Sequence, residues 1–313
     1  MSNVGKHLLS GGLSGLASTV FLQPFDLLKT RVQQRDGKLD IRQNTNVFRV
    51  AREIVGKDGV VGLWRGTVPS LFRNVPGVAL YMTSLTRIRM MMAQSAFFVE
   101  RNTGVYAAGT ASGTGSVLPK LSSQGNLLAG AVTRVAVGFI LNPFSVIKAR
   151  FESNVYNSQR TSFPNAVATI VRSGPTELFK GFVPSALRDA PYAGIFVAVY
   201  EKIKRKASDI SGPSRSVWSS TIIHTTSAAS AGLVSTMITH PFDVIKTKVQ
   251  VRQEDRYHGF KRTVSTIWKQ RGMLGFFDGV SLRVSRKVLS SAIGWAVYEG
   301  VLMLVHNSEN EVR

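Results

Sequence analysis

Three short stretches carry opposite charges at one spacing: PFDLLKTRVQ at residues 24–33, PFSVIKARFE at 143–152 and PFDVIKTKVQ at 241–250. In the first and third, an acid and a lysine follow the proline: Asp26 with Lys29, and Asp243 with Lys246. Acid and base are three residues apart, so a helix presents them on one face. The middle copy keeps Lys148 but has Ser145 in place of the acid, and it ends in Glu152 where the others end in Gln33 and Gln250. Each proline removes a backbone donor and kinks its helix. Three such helices around a common axis would bring the acid of one copy to the base of the next and close a ring. Single ion pairs of this kind are modest, which suits a closure that must reopen.

A second set of charges is cationic. Arg73, Arg188 and Arg286 each follow a glycine, Gly66, Gly181 or Gly279, at the same spacing. Arg188 precedes Asp189, and Arg286 precedes Lys287. A guanidinium grips a carboxylate through two parallel bonds, and a neighbouring carboxylate holds an ammonium. Arg188 and Asp189 together therefore fit a zwitterion, unless they only neutralise each other. Arg134 occupies a place before its proline where the sister copies have Gly15 and Gly232. Such a close-packing slot normally takes a small residue. A guanidinium there projects into a cavity, to hold a carboxylate or exclude larger ligands, or else pairs with a carboxylate of the ring.

The elements that must position these charges are themselves repeated. Glycine phrases KDGVVGLWRG (57–66), RSGPTELFKG (172–181) and QRGMLGFFDG (270–279) follow the three proline phrases in the same order. The period is roughly 100 residues, so the chain is three copies of one unit. The boundaries fall at 1–100, 126–210 and 211–313, with a flexible glycine- and serine-rich loop at 101–125. Each copy has an apolar, small-residue-rich segment before its proline, a short amphipathic piece, and a second apolar segment (68–92, 182–203 or 280–305). The pattern predicts an all-α membrane protein with six transmembrane helices and three short surface helices. Arg73, Arg134, Arg188 and Arg286 fall inside the spans, where a charge has to face the bundle interior or a water-filled cavity.

Composition narrows the function. The absence of cysteine excludes a disulfide framework, a thiolate zinc site and a thiol nucleophile. The five histidines have no metal-ligand spacing, and no phosphate loop or dinucleotide fingerprint is present. Neither a cofactor nor an enzyme activity is expected. The net charge of +21 suits anionic membranes or small anions. Nucleic acid is not expected, because the cations interrupt apolar stretches instead of forming basic clusters. The N-terminal stretch has neither a secretory signal core nor an Arg-rich transit pattern.

Over nearly its whole length the chain resembles the mitochondrial carriers, six-helix solute transporters of the inner membrane. The resemblance rests on the three P-x-[DE]-x-x-[KR]-x-[KR] phrases and their three glycine phrases. It implies three tandem repeats with pseudo-threefold symmetry, matrix surface helices and both termini on the intermembrane-space side. It also implies a monomer, cardiolipin at the matrix-side helix ends, and alternating access without ATP. A matrix gate would pair Asp26 with Lys148 and Asp243 with Lys29, braced by Gln33 and Gln250. With Ser145 lacking a carboxylate, Glu152 is expected to reach Lys246 in its place, or else to be solvated beside Arg150. A cytosolic gate would use Tyr200, Glu201, Lys204, Tyr298, Glu299 and Arg89. Thr86 and Leu302 replace charges there, so only Glu299 with Arg89 keeps both signs.

Arg73, Arg188 with Asp189, and Arg286 with Lys287 match the family's substrate contacts, and an Arg–acid pair at 188–189 goes with its amino-acid carriers. Arg134, the 143–152 phrase and Arg188–Asp189 together are similar to the subgroup that imports glycine for 5-aminolevulinate and haem synthesis. A carrier for another amino acid, and a carrier-shaped membrane adaptor without transport, are the alternatives.

Overall fold

The computed structural model describes residues 3–35, 47–95, 122–153, 163–172, 174–210 and 217–311. Within them every regular element is helical. The first copy contributes α1 (Asn3–Gln33), α2 (Val47–Asp58) and α3 (Thr67–Ala93). The second contributes α4 (Ser123–Ile140), α5 (Asn142–Glu152), α6 (Phe163–Arg172), α7 (Pro175–Leu178) and α8 (Phe182–Ile210). The third contributes α9 (Val217–Val251), α10 (Phe260–Arg271) and α11 (Val280–Glu311). Most of the loop expected at 101–125 lies outside the described residues, and α4 begins at Ser123, inside its C-terminal edge.

The three prolines act differently. Pro24 and Pro241 lie within unbroken α1 and α9. In the middle copy the helix breaks at Leu141, and Pro143 sits in the first turn of α5, where its missing N–H has no helical partner to lose. No single described helix is long and apolar enough to cross a membrane by composition, although α4 and α5 taken together are. Small and polar residues dilute the apolar character of α1 and α9, whose stretches 8–25 and 217–242 hold no Asp, Glu, Lys or Arg, whereas Arg73 and Arg188 interrupt α3 and α8.

The chain divides into two compact units. One comprises Met1–Pro76, Leu141–Ser185 and Thr236–Arg313; the other comprises Gly77–Ile140 and Ala186–Ser235. In the first unit the amphipathic pieces pack on the proline helices. On α2, Val50 and Ile54 are one turn apart and bury against Leu27 and Val32 of α1 and Leu282 of α11. In the third copy, Ile267 of α10 and Phe276 bury against Val244, Ile245 and Val249 of α9. Burying each such side chain is worth about 1.5–3 kcal/mol, enough to fix a short helix that would be unstable alone.

The closing glycines end these surface segments and turn the chain into the next long helix. Gly66, Gly181 and Gly279 have φ of 91°, 76° and 75°, a region other residues enter only with strain. Each also lies against the last residue of a proline phrase in a different copy. A Cβ on Gly66 would meet Glu152 Cγ at 3.0 Å, and one on Gly181 would meet Gln250 Cγ at 2.7 Å. A Cβ on Gly279 would meet Gln33 Cγ at 3.6 Å. Copy 1 thus abuts copy 2, copy 2 abuts copy 3, and copy 3 abuts copy 1.

At the α7 turn, burial pushes the Glu177 carboxyl up, but hydrogen bonds from Lys180 and Arg150 outweigh it and hold the group below its ordinary value. The ionised carboxylate therefore stabilises the fold above the ordinary carboxylate range and loses that effect as pH falls through its lowered value. Glu177→Gln should flatten the acid side of the melting-temperature profile; an unchanged acid limb would show that these bonds contribute nothing. Gly181→Ala should lower the melting temperature more than Gly174→Ala. Both glycines have positive φ, but a Cβ on Gly174 meets nothing within 4 Å. Equal losses would mean that the Gln250 contact has no effect.

Candidate functional site

The C-terminal parts of α1 and α9 and the whole of α5 bring the three proline phrases together in the first unit. Lys148 Nζ donates to Asp26 Oδ2 at 2.6 Å, and Lys29 pairs with Asp243. Asp243 is almost fully buried, with its side chain 2% exposed. At the third seam Ser145 offers only a hydroxyl, and Gln250 Nε2 reaches it at 3.5 Å. Lys246 is buried on α9.

Beneath each pair lies the last residue of a phrase. Gln33 Nε2 donates to Asp243 Oδ2 at 3.4 Å, and Thr247 Oγ1 donates to Gln33 Oε1 at 2.7 Å. Glu152 occupies the equivalent slot one seam away. Its carboxylate accepts from Thr30 Oγ1 at 2.7 Å and Gln23 Nε2 at 3.0 Å, and Lys148 Nζ lies 3.6 Å off. This corrects the expectation that Glu152 reaches Lys246. On α5, residues 148 and 152 are one turn apart and share a face; that face is turned to α1 by the Asp26 pair. Solvation beside Arg150 is also excluded, since Glu152 is 3% exposed. Asp26 and Glu152 thus share Lys148, and Arg286 adds a second cation on Asp26.

Sequence reasoning gave a role only to the first base of each phrase. The second base closes the neighbouring helix. Arg31 Nε donates to the Glu152 carbonyl at 2.8 Å, Arg150 Nε to the Gln250 carbonyl at 3.1 Å, and Lys248 Nζ to the Arg35 carbonyl. Terminal carbonyls of a helix lack partners within it, so a cation there satisfies them and meets the negative end of the helix dipole. The paired-base pattern K-x-[KR] was the available signal.

The other expected site residues are placed as follows. Arg286 pairs with Asp26 in this ring. Arg73 Nη1 lies 3.5 Å from Asn74 Oδ1, and Asn74 Nδ2 donates to Thr19 Oγ1 at 3.1 Å. Lys287 is half-buried on α11. In the second unit, Arg188 donates to both Asp189 oxygens, from Nε at 2.8 Å and from Nη2 at 3.0 Å. Arg134 is exposed on α4, with its guanidinium 5.4 Å from the Tyr81 ring centre, within cation–π range. It has no carboxylate partner among the described residues.

On α8, Tyr200 shares a hydrogen bond of 2.7 Å with His224 Nδ1, Lys204 lies over the Tyr200 ring, and Glu201 pairs with Arg205. Arg89 Nε is buried without a hydrogen-bond partner among the described residues. The side chains of Tyr298 and Glu299 lie outside the described residues.

The sequence matches the profile of the family described as "Mitochondrial carrier protein" over residues 1–96, 119–211 and 217–309. The chain belongs to the mitochondrial carrier family. Among similar carriers, a protein of Laccaria bicolor is 62% identical over 98% of this chain and 100% of its own length. One of Mycosarcoma maydis is 39% identical over 93% of this chain and 82% of its own, and one of Aspergillus niger is 41% identical over 95% and 89%. Each of the three is named "Mitochondrial glycine transporter". Membership makes the chain a transporter and not an enzyme.

The placement of Glu152 can be tested by coupling. In double-mutant cycles read by melting temperature, Glu152→Gln with Lys148→Gln should be non-additive by about 0.5 kcal/mol or more, as for residues in contact. Glu152→Gln with Lys246→Gln should be additive. The reverse pattern would restore the Lys246 assignment.

Proposed function

We propose that this carrier imports glycine into the mitochondrial matrix across the inner membrane by alternating access, supplying 5-aminolevulinate and haem synthesis. The observation that carries the reading is the 62% identity, over essentially the full length of both chains, to a protein named a mitochondrial glycine transporter. The residues agree with it chemically. Arg188 and Asp189 offer a guanidinium and a carboxylate side by side, the two charges that a zwitterion needs. Arg188 donates to both Asp189 oxygens. A bound amino acid exchanges that contact for two, its carboxylate on Arg188 and its ammonium on Asp189. Arg134 brings a third charge and considerable bulk to a slot that is Gly15 in α1 and Gly232 in α9, so it favours a ligand with a carboxylate and no side chain.

In this reading α1, α3, α4 with α5, α8, α9 and α11 are the six spans, arranged with pseudo-threefold symmetry. Their lengths support it, since roughly 20 residues cross a hydrocarbon core and each single helix of this set has 27 residues or more. Both termini then face the intermembrane space, α2, α6 and α10 lie on the matrix surface, and cardiolipin seats at the matrix-side helix ends of a monomer. The ring of phrases is the matrix gate, held shut by Asp26–Lys148 and Asp243–Lys29.

The test is uptake by purified protein in liposomes with a labelled amino-acid panel. Glycine should be fastest, alanine and serine next, and large or cationic amino acids should fail. Arg188→Ala should abolish uptake in a folded protein, because a bidentate contact to the substrate is lost. Arg134→Gly should lower glycine uptake by more than about tenfold, equivalent to 1.4 kcal/mol. Arg134→Lys should rescue poorly, since it keeps the charge without the planar fork. Transport of large amino acids as fast as glycine would overturn the size argument.

A further inference from the structure

The residues before the three repeat prolines differ in type, yet the three make one interaction. Gln23 Nε2 donates to the Arg65 carbonyl at 3.0 Å, Asn142 Nδ2 to the Lys180 carbonyl at 3.2 Å, and His240 Nε2 to the Asp278 carbonyl at 3.0 Å. Each acceptor is the carbonyl immediately before a closing glycine, Gly66, Gly181 or Gly279. All three side chains are buried, at 0%, 1% and 0% exposure. Three side chains of unlike shape and chemistry place an N–H donor on the same carbonyl in three copies. What is kept is the donor and not the residue type.

We propose that this pre-proline donor is a clamp that positions the matrix gate. It ties the proline segment of each copy to that copy's own closing turn, and the closing glycine in turn supports the phrase-ending residue of the next copy. In copy 1 the clamp reaches the gate directly: Gln23 Nε2 also donates to Glu152 Oε1 at 3.0 Å, and Gln23 Oε1 accepts from Ser70 Oγ at 2.9 Å. In copy 2 the Lys180 carbonyl receives both the clamp residue Asn142 and Gln250, at 3.2 and 3.3 Å. Asn142 uses its second hydrogen on the Leu178 carbonyl at 2.8 Å. In copy 3 the clamp is a histidine in the tautomer with its proton on Nε2, because a carbonyl can only accept. Its Nδ1 is buried without a hydrogen-bond partner among the described residues, so the ring serves this one donation. Loss of a buried donor leaves the carbonyl before the glycine unsatisfied, and the turn beneath the neighbouring gate residue is released.

The proposal goes beyond the identity of the substrate, and its test is read without substrate. The chain contains no cysteine, so Ala149→Cys, at a buried position on α5, gives a sole thiol whose labelling rate in purified protein reports gate opening. In that background His240→Leu should raise the labelling rate severalfold. His240→Gln, which restores an N–H donor as Gln23 does in copy 1, should return it to the parent rate. In liposomes the Leu variant should lose at least fivefold in maximal uptake with little change in KM, and the Gln variant should recover it. Parent-like labelling of the Leu variant would overturn the clamp. So would a folded Gln variant that labels as fast as the Leu variant, since shape alone would then be what matters. If the Leu variant does not fold, the Gln variant decides alone, by parent-like labelling or by fast labelling. A general loss of stability would lower the melting temperature of both variants and would not separate them by labelling.

Discussion

The construction turns on Lys148, a single ammonium between two buried carboxylates. Asp26 takes it at 2.6 Å and Glu152 flanks it at 3.6 Å. Two carboxylates so close repel each other, and burial disfavours both. They are tolerable only because Arg286 adds a second cation on Asp26 and neutral donors from Thr30 and Gln23 saturate Glu152. Arg286 comes from α11, Lys148 from α5, and Thr30 and Gln23 from α1, so this one charge cluster requires α1, α5 and α11 to be in place together. The substitution of Gln by Glu in one copy is therefore not an isolated change; it draws on the surroundings that a threefold plan already supplies.

That plan works by handing unsatisfied groups around the ring. A helix end leaves carbonyls without partners, and at each of these three ends one carbonyl accepts from a base of another copy. Arg31 closes the end of α5, Arg150 closes α9 and Lys248 closes α1. The threonine handovers follow the same circuit, from Thr30 to Glu152 and from Thr247 to Gln33. The circuit lapses at Ala149, which has no hydroxyl for Gln250. These contacts between copies tie their order in the ring to their order in the chain. A charged donor on a buried carbonyl is worth about 1.5–3 kcal/mol and a neutral one about half that, so these contacts are individually modest and separable.

Much of this was legible in the sequence because it is repeated. Two phrases in fixed order, three times, gave the copies, and the resemblance to the carriers gave the expected pairs of Asp26 with Lys148 and Asp243 with Lys29. The helix period put acid and base on one face, and burial of Val50 and Ile54 on α2 follows from the same periodicity. What was not legible depended on direction. Loss of an acid at Ser145 and gain of one at Glu152 suggested replacement at one seam, but the residues serve different seams: Ser145 faces Gln250, and Glu152 faces Thr30 and Gln23. Sequence spacing gives a shared face; it does not say which neighbour that face meets. The pre-proline donors were invisible for another reason. Gln, Asn and His look like variation, and only the common carbonyl acceptor shows that they are equivalent.

The resulting ring is uneven in a definite way. The three acids Asp26, Glu152 and Asp243 still match the three lysines Lys29, Lys148 and Lys246 in number, so the ring keeps its charge balance while its carboxylates are redistributed. The α1–α5 seam carries two carboxylates and the α1–α9 seam carries one. At the α5–α9 seam, Gln250 reaches the Ser145 hydroxyl and Arg150 holds the Gln250 carbonyl. Charged bonds weaken when water enters, because their strength comes from exclusion of a high dielectric. A bond between two uncharged groups loses less on wetting. The copies therefore do not part under equal constraint. The seams respond differently to water, and the departure of the middle phrase from its sisters is what makes them unequal.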